Sequence, residues 1–284
     1  MQARPSFARR IARRVLPHAV RVELVRMRRL PAMAVERPFV ARRRTDEGRT
    51  FGAVVTEHRS PMTRPGLEPP TYLRAGRRRN VETVAGRIDG VVIEPGQTFS
   101  YHHLVGRPSL LRGFRFGLEL HRERESAGVG GGACKVSNLL YWLALNAGLD
   151  IVERHRHSLD LYPDRGRTVP FGCGATVFYT MADLRFRNPH AVPVRVELEV
   201  DDADDLVGRI SAPRALDRTW RIEEYDHRFE CIDGVWWRSN RIVRTTFDTF
   251  ERTIARETIA ENRARTCYIP RPQLSTDAAA GDAE

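Results

Sequence analysis

Residues 128–148 read GVGGGACKVSNLLYWLALNAG, a glycine-rich segment that runs directly into an apolar pattern of helical period. Apolar residues recur at the three- and four-residue spacing that places them on one face of an α-helix. Gly148 follows this pattern at the position where a left-handed C′ residue ends a helix. The stretch therefore predicts a glycine loop followed by a helix whose first turn contains Cys134.

The predicted helix has an apolar face and an opposite face of reactive and polar side chains. The apolar face consists of Val136, Leu139, Leu140 and Leu143, and the opposite face of Cys134, Ser137, Asn138 and Tyr141. Unpaired N–H groups and the positive end of the macrodipole at a helix start favour an anion and lower the pKa of a thiol. With Lys135 beside it, Cys134 is therefore predicted to be presented to solvent and to favour the thiolate.

A thiol nucleophile needs a base within hydrogen-bond reach and a third group that orients the base. His157 is the best candidate base, because a thiol at a helix start followed by a histidine is the general layout of cysteine hydrolases and transglutaminase-like enzymes. His155 would share a strand face with His157. Acidic residues that could orient the imidazole are Asp160, Asp164 and Asp183.

Two sets of site residues follow. The predicted catalytic residues are Cys134, His157 and Ser137, and the predicted binding residues are Gly130, Gly131, Gly132, Lys135, Asn138, Tyr141, His155 and Asp183. A second histidine pair, His102 and His103, could approach the same site, although a surface loop can simply contain two histidines. In the plainer alternative, Cys134 is a small buried residue and the histidines near residue 157 lie on a solvated, arginine-rich turn.

No metal or cofactor is predicted. Cys134, His157 and Cys173 could supply three ligands, but their spacings of 23 and 16 residues match no standard zinc pattern. The glycine-rich segment lacks the Gly-Lys-Ser/Thr ending of a phosphate-binding loop and does not match the dinucleotide-binding fingerprint. The glycine loop and helix start could still hold a carboxylate or phosphate through backbone N–H groups.

The net charge of +11 is concentrated at the start of the chain. Residues 1–44 hold 13 of the 47 basic residues and only two of the 36 acids, so residues 45–284 sum to zero. A neutral body argues against nucleic-acid binding. Apolar and arginine pairs alternate over residues 6–16, which predicts a helix that lies on an anionic membrane through residues 1–17; an exposed extension is the alternative. Without a secretory or membrane-spanning pattern, we expect a cytoplasmic or peripheral inner-membrane protein.

Hydrophobic patterning predicts an α+β fold in which the glycine loop leads into the Cys134 helix, packed on mixed or antiparallel strands, with a mostly antiparallel C-terminal half. Strands are expected at residues 91–93, 98–101, 175–180, 184–187, 192–200 and 206–210, and a hairpin at Asp233-Gly234. The predicted divisions are a basic extension (1–44), a Pro/Gly/Arg-rich lead-in with a short helix at 80–85 (45–85), a core (86–200), a β-rich region (201–272) and a disordered tail (273–284).

The sequence resembles the VanW family, of the short stand-alone type. The resemblance rests on residues 93–100 (IEPGQTFS), residues 130–142 (GGGACKVSNLLYW), the region of His157, and residues 175–177 with Asp183, Leu184 and Asn188. The family pattern usually has Gln where this chain has Lys135, and Asp where it has Gly174. The missing acid puts a full catalytic triad in doubt. The resemblance implies an association with the cell envelope or with glycopeptide resistance, and no particular reaction.

Taken together, these patterns favour an accessory cell-envelope protein. In the leading hypothesis, a Cys134–His157 thiol site acts on or binds a peptidoglycan-related peptide or precursor. The alternative is a non-enzymatic binding or scaffold module, in which the glycine loop and the helix start hold the carboxylate or phosphate of a cell-wall fragment. The oligomeric state is left open by the sequence.

Overall fold

The computed structural model describes residues 18–36, 40–42, 49–63, 70–121, 124–156 and 159–270. Its helices are α1 (His18–Glu36), α2 (Thr71–Ile88), α3 (Tyr101–Val105) and α4 (Cys134–Asn146), with a 3₁₀ turn at Leu110–Arg112. Its strands are β1 (Ala53–Pro61), β2 (Val91–Ile93), β3 (Thr98–Ser100), β4 (Phe116–His121), β5 (Arg124–Val129), β6 (Asp150–Glu153), β7 (Leu159–Asp160), β8 (Arg185–Arg187), β9 (Val194–Val200), β10 (Asp205–Ala212), β11 (Thr219–Ile232), β12 (Val235–Phe247) and β13 (Thr253–Thr266).

The strands form mixed and antiparallel sheets, so the predicted α+β class is confirmed. The sheet orders are β1-β10-β9-β2, β11-β12-β13-β7, β3-β8-β6 and β4-β5. All pairs are antiparallel except β13 with β7. The predicted division between residues 200 and 201 falls inside the first of these sheets, because β9 and β10 pair directly across it.

Helix α4 lies in the middle of the hydrophobic core, where it contacts β1, β10 and β11. Its apolar face is buried as predicted, with Val136 and Leu140 fully enclosed. Burial also covers the opposite face, since Ser137 is 0% exposed and Tyr141 2% exposed. Cys134, at the start of the same face, is only partly buried, so burial of this face is greatest at Ser137 and Tyr141.

The polar face of α4 binds the backbone of residue 175. Ser137 Oγ donates to the Ala175 carbonyl at 2.6 Å, and the Ala175 N–H donates to Asn138 Oδ1 at 2.8 Å. These bonds occupy backbone groups that a strand would need for its ladder. The strand predicted at residues 175–180 is accordingly absent, and an isolated bridge between Phe178 and Ala182 is found instead.

The end of α4 follows the prediction. Gly148 has a φ of +64°, its N–H donates to the Leu145 carbonyl at 3.3 Å, and the Leu149 N–H donates to Ala144 at 2.9 Å. This pair of bonds is the Schellman motif, which requires a left-handed residue at C′. A side chain at Gly148 would also collide with Trp220, whose Cε2 lies 2.1 Å from the position of a Cβ.

Several local predictions are confirmed and one element is longer than expected. The strands at residues 91–93, 185–187, 194–200 and 205–212 agree with the predicted runs. Asp233 and Gly234 both have positive φ, as a two-residue hairpin of type I′ requires. The short helix expected at 80–85 extends over Thr71–Ile88. Gly76 lets this helix approach β4 so closely that a Cβ would lie 1.8 Å from the Phe116 carbonyl oxygen.

Two predicted regions fall on residues that the structure does not describe. The membrane-binding segment of residues 1–17 and the tail of residues 273–284 lie outside the described ranges. Both therefore stay predictions. Among the residues that are described, the structure contains no helix with the length and apolar character needed to cross a membrane.

Candidate functional site

A cleft of about 920 Å³ lies where α2, the glycine loop and β13 meet. Its floor is the start of α4, with Cys134 and Asn138, and one wall is formed by residues 167–174. The sequence-predicted residues that line it are Gly130, Gly131, Gly132, Cys134, Lys135 and Asn138. The structure therefore brings the glycine loop and the start of the helix together at one concave site.

The glycine loop is shaped by close packing. Gly131 lies so near β4 that a Cβ would come within 2.2 Å of the Gly117 carbonyl oxygen, and Gly132 has a φ of +88° with Arg77 Cγ 2.4 Å from its Cβ position. The N–H groups of Gly130 and Gly131 already donate within the fold, to Arg115 and Gly128. Gly132 thus leaves room for the Arg77 side chain. The N–H groups of Gly130 and Gly131 are not free to bind an anion.

Cys134 lies in the first turn of α4, but its environment does not favour a thiolate. Burial raises the pKa of the thiol above its ordinary value, and the nearby Glu119 raises it further. The thiol donates to the Val177 carbonyl, with 4.0 Å between sulfur and oxygen. The predicted lowering of the Cys134 pKa is therefore wrong, because desolvation outweighs the favourable end of the helix.

Lys135 does not supply the positive charge that its position beside Cys134 suggested. Its Nζ donates to Ser60 Oγ at 2.8 Å and to the Pro61 carbonyl oxygen. The lysine therefore ties the start of α4 to the end of β1. Successive helix residues point about 100° apart, so the Lys135 side chain leaves the helix in a different direction from the thiol.

The predicted base, His157, lies outside the described residues, so its pairing with Cys134 stays a prediction. His155 is half-exposed, and its Nε2 lies 2.8 Å from Glu153 Oε1. Burial of Glu153 is outweighed by hydrogen bonds from the Asp183 N–H and from His155, which lower the pKa of Glu153. His155 therefore forms a surface pair with a carboxylate.

The carboxylate of Asp183 is buried and accepts hydrogen bonds at the start of α3. Its carboxylate accepts hydrogen bonds from Ser100 Oγ at 2.5 Å and from the His102 N–H at 2.9 Å. Burial raises the pKa of Asp183 to about 6, although these bonds oppose the shift. The structure therefore pairs this acid with His102, a histidine that lines the cleft and whose Nδ1 lies 3.8 Å from Asp183 Oδ1.

Ser137, Asn138 and Tyr141 act together as a support for the cleft wall. Ser137 and Asn138 hold residue 175, as described above, and Arg154 stacks over the Tyr141 ring at 4.8 Å. Arg154 also donates to the Gly174 carbonyl at 2.9 Å and to the Gly172 carbonyl. The contacts that the structure gives these three helix residues thus position the wall at residues 172–175.

The side chains that line the cleft are strongly basic. The cations are Arg26, Arg77, Arg107, Lys135, Arg154, Arg156, Arg167 and Arg263, and the carboxylates are Glu119 and Asp160. Several cations are bound by the protein itself, for example Arg167 to Asp160 at 2.9 Å. Such an excess of arginine creates a positive potential in a concave site and attracts anions.

Arg77 is the cation best placed to bind a ligand, and sequence reasoning missed it. Its Nε is buried and has no hydrogen-bond partner among the described residues. Burial lowers the pKa of Arg77, while Tyr162 and Asp204 oppose the shift; a guanidinium stays charged at neutral pH. Residues 73, 76, 80 and 84 have the spacing of one buried helix face, which would have indicated a helix around Arg77. The run of arginines at 77–79 obscured this spacing.

Within the described ranges, no group of three or more His, Cys, Asp or Glu side chains could hold a metal ion. His157, one of the three ligands considered from the sequence, is outside those ranges. The chemistry that the described cleft offers is therefore that of arginine, imidazole, phenol and thiol groups around an anion-attracting cavity.

Comparison with known proteins gives matches over the part of the chain that forms the cleft. Residues 76–210 match the family described as VanW like protein. The chain is 28% identical to the vancomycin B-type resistance protein VanW of Enterococcus faecalis over 143 residues, which is 50% of this chain and 52% of that protein. It is 34% identical to the uncharacterized protein YoaR of Bacillus subtilis over 123 residues, 42% of this chain and 38% of that one.

The matched segments therefore span about half or less of the length of these curated relatives. No solved structure matches the chain. Because the matched range includes most of α2, the glycine loop and α4, the likeness covers most of the elements that build the cleft.

Proposed function

We propose a function from the premise that this chain carries a VanW-family domain over residues 76–210. The protein is an accessory protein of the bacterial cell envelope, associated with glycopeptide resistance, and its cleft binds an anionic peptidoglycan-related peptide or precursor. The similarity to the E. faecalis vancomycin B-type resistance protein supports the association. The excess of cationic side chains that line the cleft is the argument for an anionic ligand.

The observation that carries the proposal is the position of Arg77 at the glycine loop. Its stem packs on Gly132, its Nε lacks a partner among the described residues, and its head lines the cleft. An unpaired donor in a partly buried cation costs free energy that an anionic ligand would recover. A carboxylate or phosphate is the matching group, because either accepts two parallel hydrogen bonds from a guanidinium.

Binding is favoured over thiol catalysis by the electrostatics of Cys134. A nucleophilic thiol needs a lowered pKa or an adjacent base, whereas burial raises the pKa of Cys134. The thiol-enzyme alternative depends on His157 reaching the Cys134 sulfur. A cleft that holds a cell-wall fragment without chemistry needs only the arginines, the glycine loop and the supported wall.

The test is titration calorimetry with N-acetylmuramyl pentapeptide, which carries carboxylates and peptide bonds. Replacing Arg77 by Gln should weaken binding about tenfold or more, since a lost charge-assisted hydrogen bond is worth roughly 1.5–3 kcal/mol. The matched control is Arg79→Gln on the same helix, because Arg79 is exposed and lines a different pocket. Wild-type affinity in the Arg77 variant, or no binding by the wild type, would contradict the proposal.

A second pair of variants tests the loop. In Gly132→Ala, the new Cβ meets Arg77 Cγ and must move the side chain, so binding should weaken together with stability. Gly113→Ala has almost the same backbone strain, with a φ of +89°, but no atom within 4 Å of its Cβ position. At a temperature where both variants are folded, ligand affinity should therefore fall only in Gly132→Ala.

A further inference from the structure

His102 is a buried polar side chain that the proposed function has not yet used. It lies on α3, is 5% exposed and lines the same cleft as Cys134. Its Nε2 is buried and has no hydrogen-bond partner among the described residues. Buried polar atoms are almost always paired, so an orphaned ring nitrogen in a cleft points to a partner supplied by a ligand.

The groups around the His102 ring determine whether Nε2 donates or accepts a hydrogen bond. Charged and titratable groups that act on His102 are Glu153, His103, His155 and Asp183, the last with Oδ1 3.8 Å from Nδ1. Burial lowers the pKa of His102 to about 4, so the imidazole is neutral at pH 7. Because the Asp183 carboxylate lies on the Nδ1 side, we assign the single proton to Nδ1, which leaves Nε2 as an acceptor.

The segment that covers His102 is strained. The Tyr179 ring meets the imidazole edge-on, with 5.6 Å between centroids. The next residue, Thr180, has a φ of +64°, which is an outlier for a β-branched residue, and its buried Oγ1 also lacks a partner among the described residues. Arg29 of α1 holds this turn through the Thr180 carbonyl at 2.7 Å. A strained backbone position and a hydroxyl without a partner among the described residues thus lie beside the ring that a ligand must reach.

We propose that His102 Nε2 accepts a hydrogen bond from a backbone N–H of a short peptide whose free carboxylate is bound by the arginines of the cleft. This rests on the proposed function and names its ligand class more closely. An acceptor needs a donor, and a neutral amide N–H is favoured over an ammonium group, which the surrounding arginines would repel. The cleft therefore recognises a peptide end by its amide as well as by its charge.

The test uses N-acetyl-D-alanyl-D-alanine and two ester analogues, in which an oxygen replaces one or the other of its N–H groups. Calorimetry on the wild type should show that one ester binds about tenfold more weakly than the amide, the size of one buried hydrogen bond. In His102→Phe, the amide should bind as weakly as that ester and the discrimination should vanish. Discrimination that persists in His102→Phe overturns the proposal.

The His102→Gln variant distinguishes loss of the hydrogen bond from a failure of the His102→Phe variant to fold. Its amide oxygen can still accept, so part of the discrimination should return, whereas a purely structural role of His102 predicts none. If the amide and both esters bind the wild type equally and binding still depends on Arg77, the ligand reaches the cleft without His102 and only this inference fails. If neither amide nor ester binds the wild type and the pentapeptide does not bind either, the proposed function fails with it.

Discussion

Arg238 of β12 and Asp164, in the loop after β7, form a bidentate ion pair with both nitrogen–oxygen distances at 2.7 Å. Arg238 is 1% exposed, and its guanidinium also donates to Asp160 at 3.1 Å. It stacks over Phe171, which lines the cleft, at 4.5 Å. The C-terminal sheet therefore supports one wall of the site through this buried cation and through Asn240, whose Nδ2 donates to the Phe171 carbonyl at 2.7 Å.

Replacing Arg238 by Met should destabilise the protein by about 1.5–3 kcal/mol, since the buried Asp160 loses one charge-assisted hydrogen bond while its ion pair with Arg167 remains. The measurement is urea-induced unfolding. Arg241→Met is the control on the same strand, because Arg241 and Asp226 form an exposed pair that is worth at most about 1 kcal/mol. Equal losses in the two variants would show that the buried pair is not a main support of this wall.

Gly148→Ala should cost more stability than Gly96→Ala. Both glycines have positive φ, +64° and +75°, so each alanine carries a backbone penalty of roughly 1 kcal/mol. Only at Gly148 would the Cβ also overlap the Trp220 ring, whereas Gly96 has open space. Thermal unfolding of the two variants should therefore differ by several degrees. Equal melting temperatures would mean that Trp220 moves aside freely.

Alkylation of Cys134 should become half-maximal at a pH above the ordinary thiol value of about 8.5, because burial raises its pKa. Peptide mapping after treatment with iodoacetamide at a series of pH values gives the midpoint for each thiol. The exposed Cys231 and Cys267 serve as references within the same chain. A Cys134 midpoint below 8.5 would revive the thiolate hypothesis.

His102 should make stability depend on pH. Its pKa is 6.5 in the unfolded chain and about 4 in the fold, so between these values the unfolded state binds more protons. The free energy of unfolding therefore rises with pH across this window, by about 3 kcal/mol for this group.

Asp183 changes the free energy of unfolding in the opposite direction as the pH rises. Its pKa is raised to about 6, so its contribution favours the fold at low pH and is lost as the pH rises from about 4 to 6. The comparison that isolates His102 is the difference between wild type and His102→Phe, measured by urea unfolding from pH 4 to 7. The difference should change with pH; parallel stability curves would show that His102 is not buried neutral.

Features that depend on neighbouring residues were predictable from local patterns in the chain. The glycine loop, the helix from Cys134, its end at Gly148 and the hairpin turn at Asp233-Gly234 all follow from backbone conformations that few residue types can adopt. The family resemblance came from the same short stretch, and the match over residues 76–210 confirms it.

Only the tertiary structure decided which groups face the cleft and in what state. The helix start alone predicts a thiolate at Cys134, but burial in the fold raises the pKa of the thiol, although the hydrogen bond to the Val177 carbonyl opposes the shift. Asp183 pairs with His102, which is 81 residues away in sequence, and Arg77 reaches Gly132 across the fold. Burial and long-range contacts set these properties, and neither is encoded in local periodicity, because each depends on which distant segments pack together.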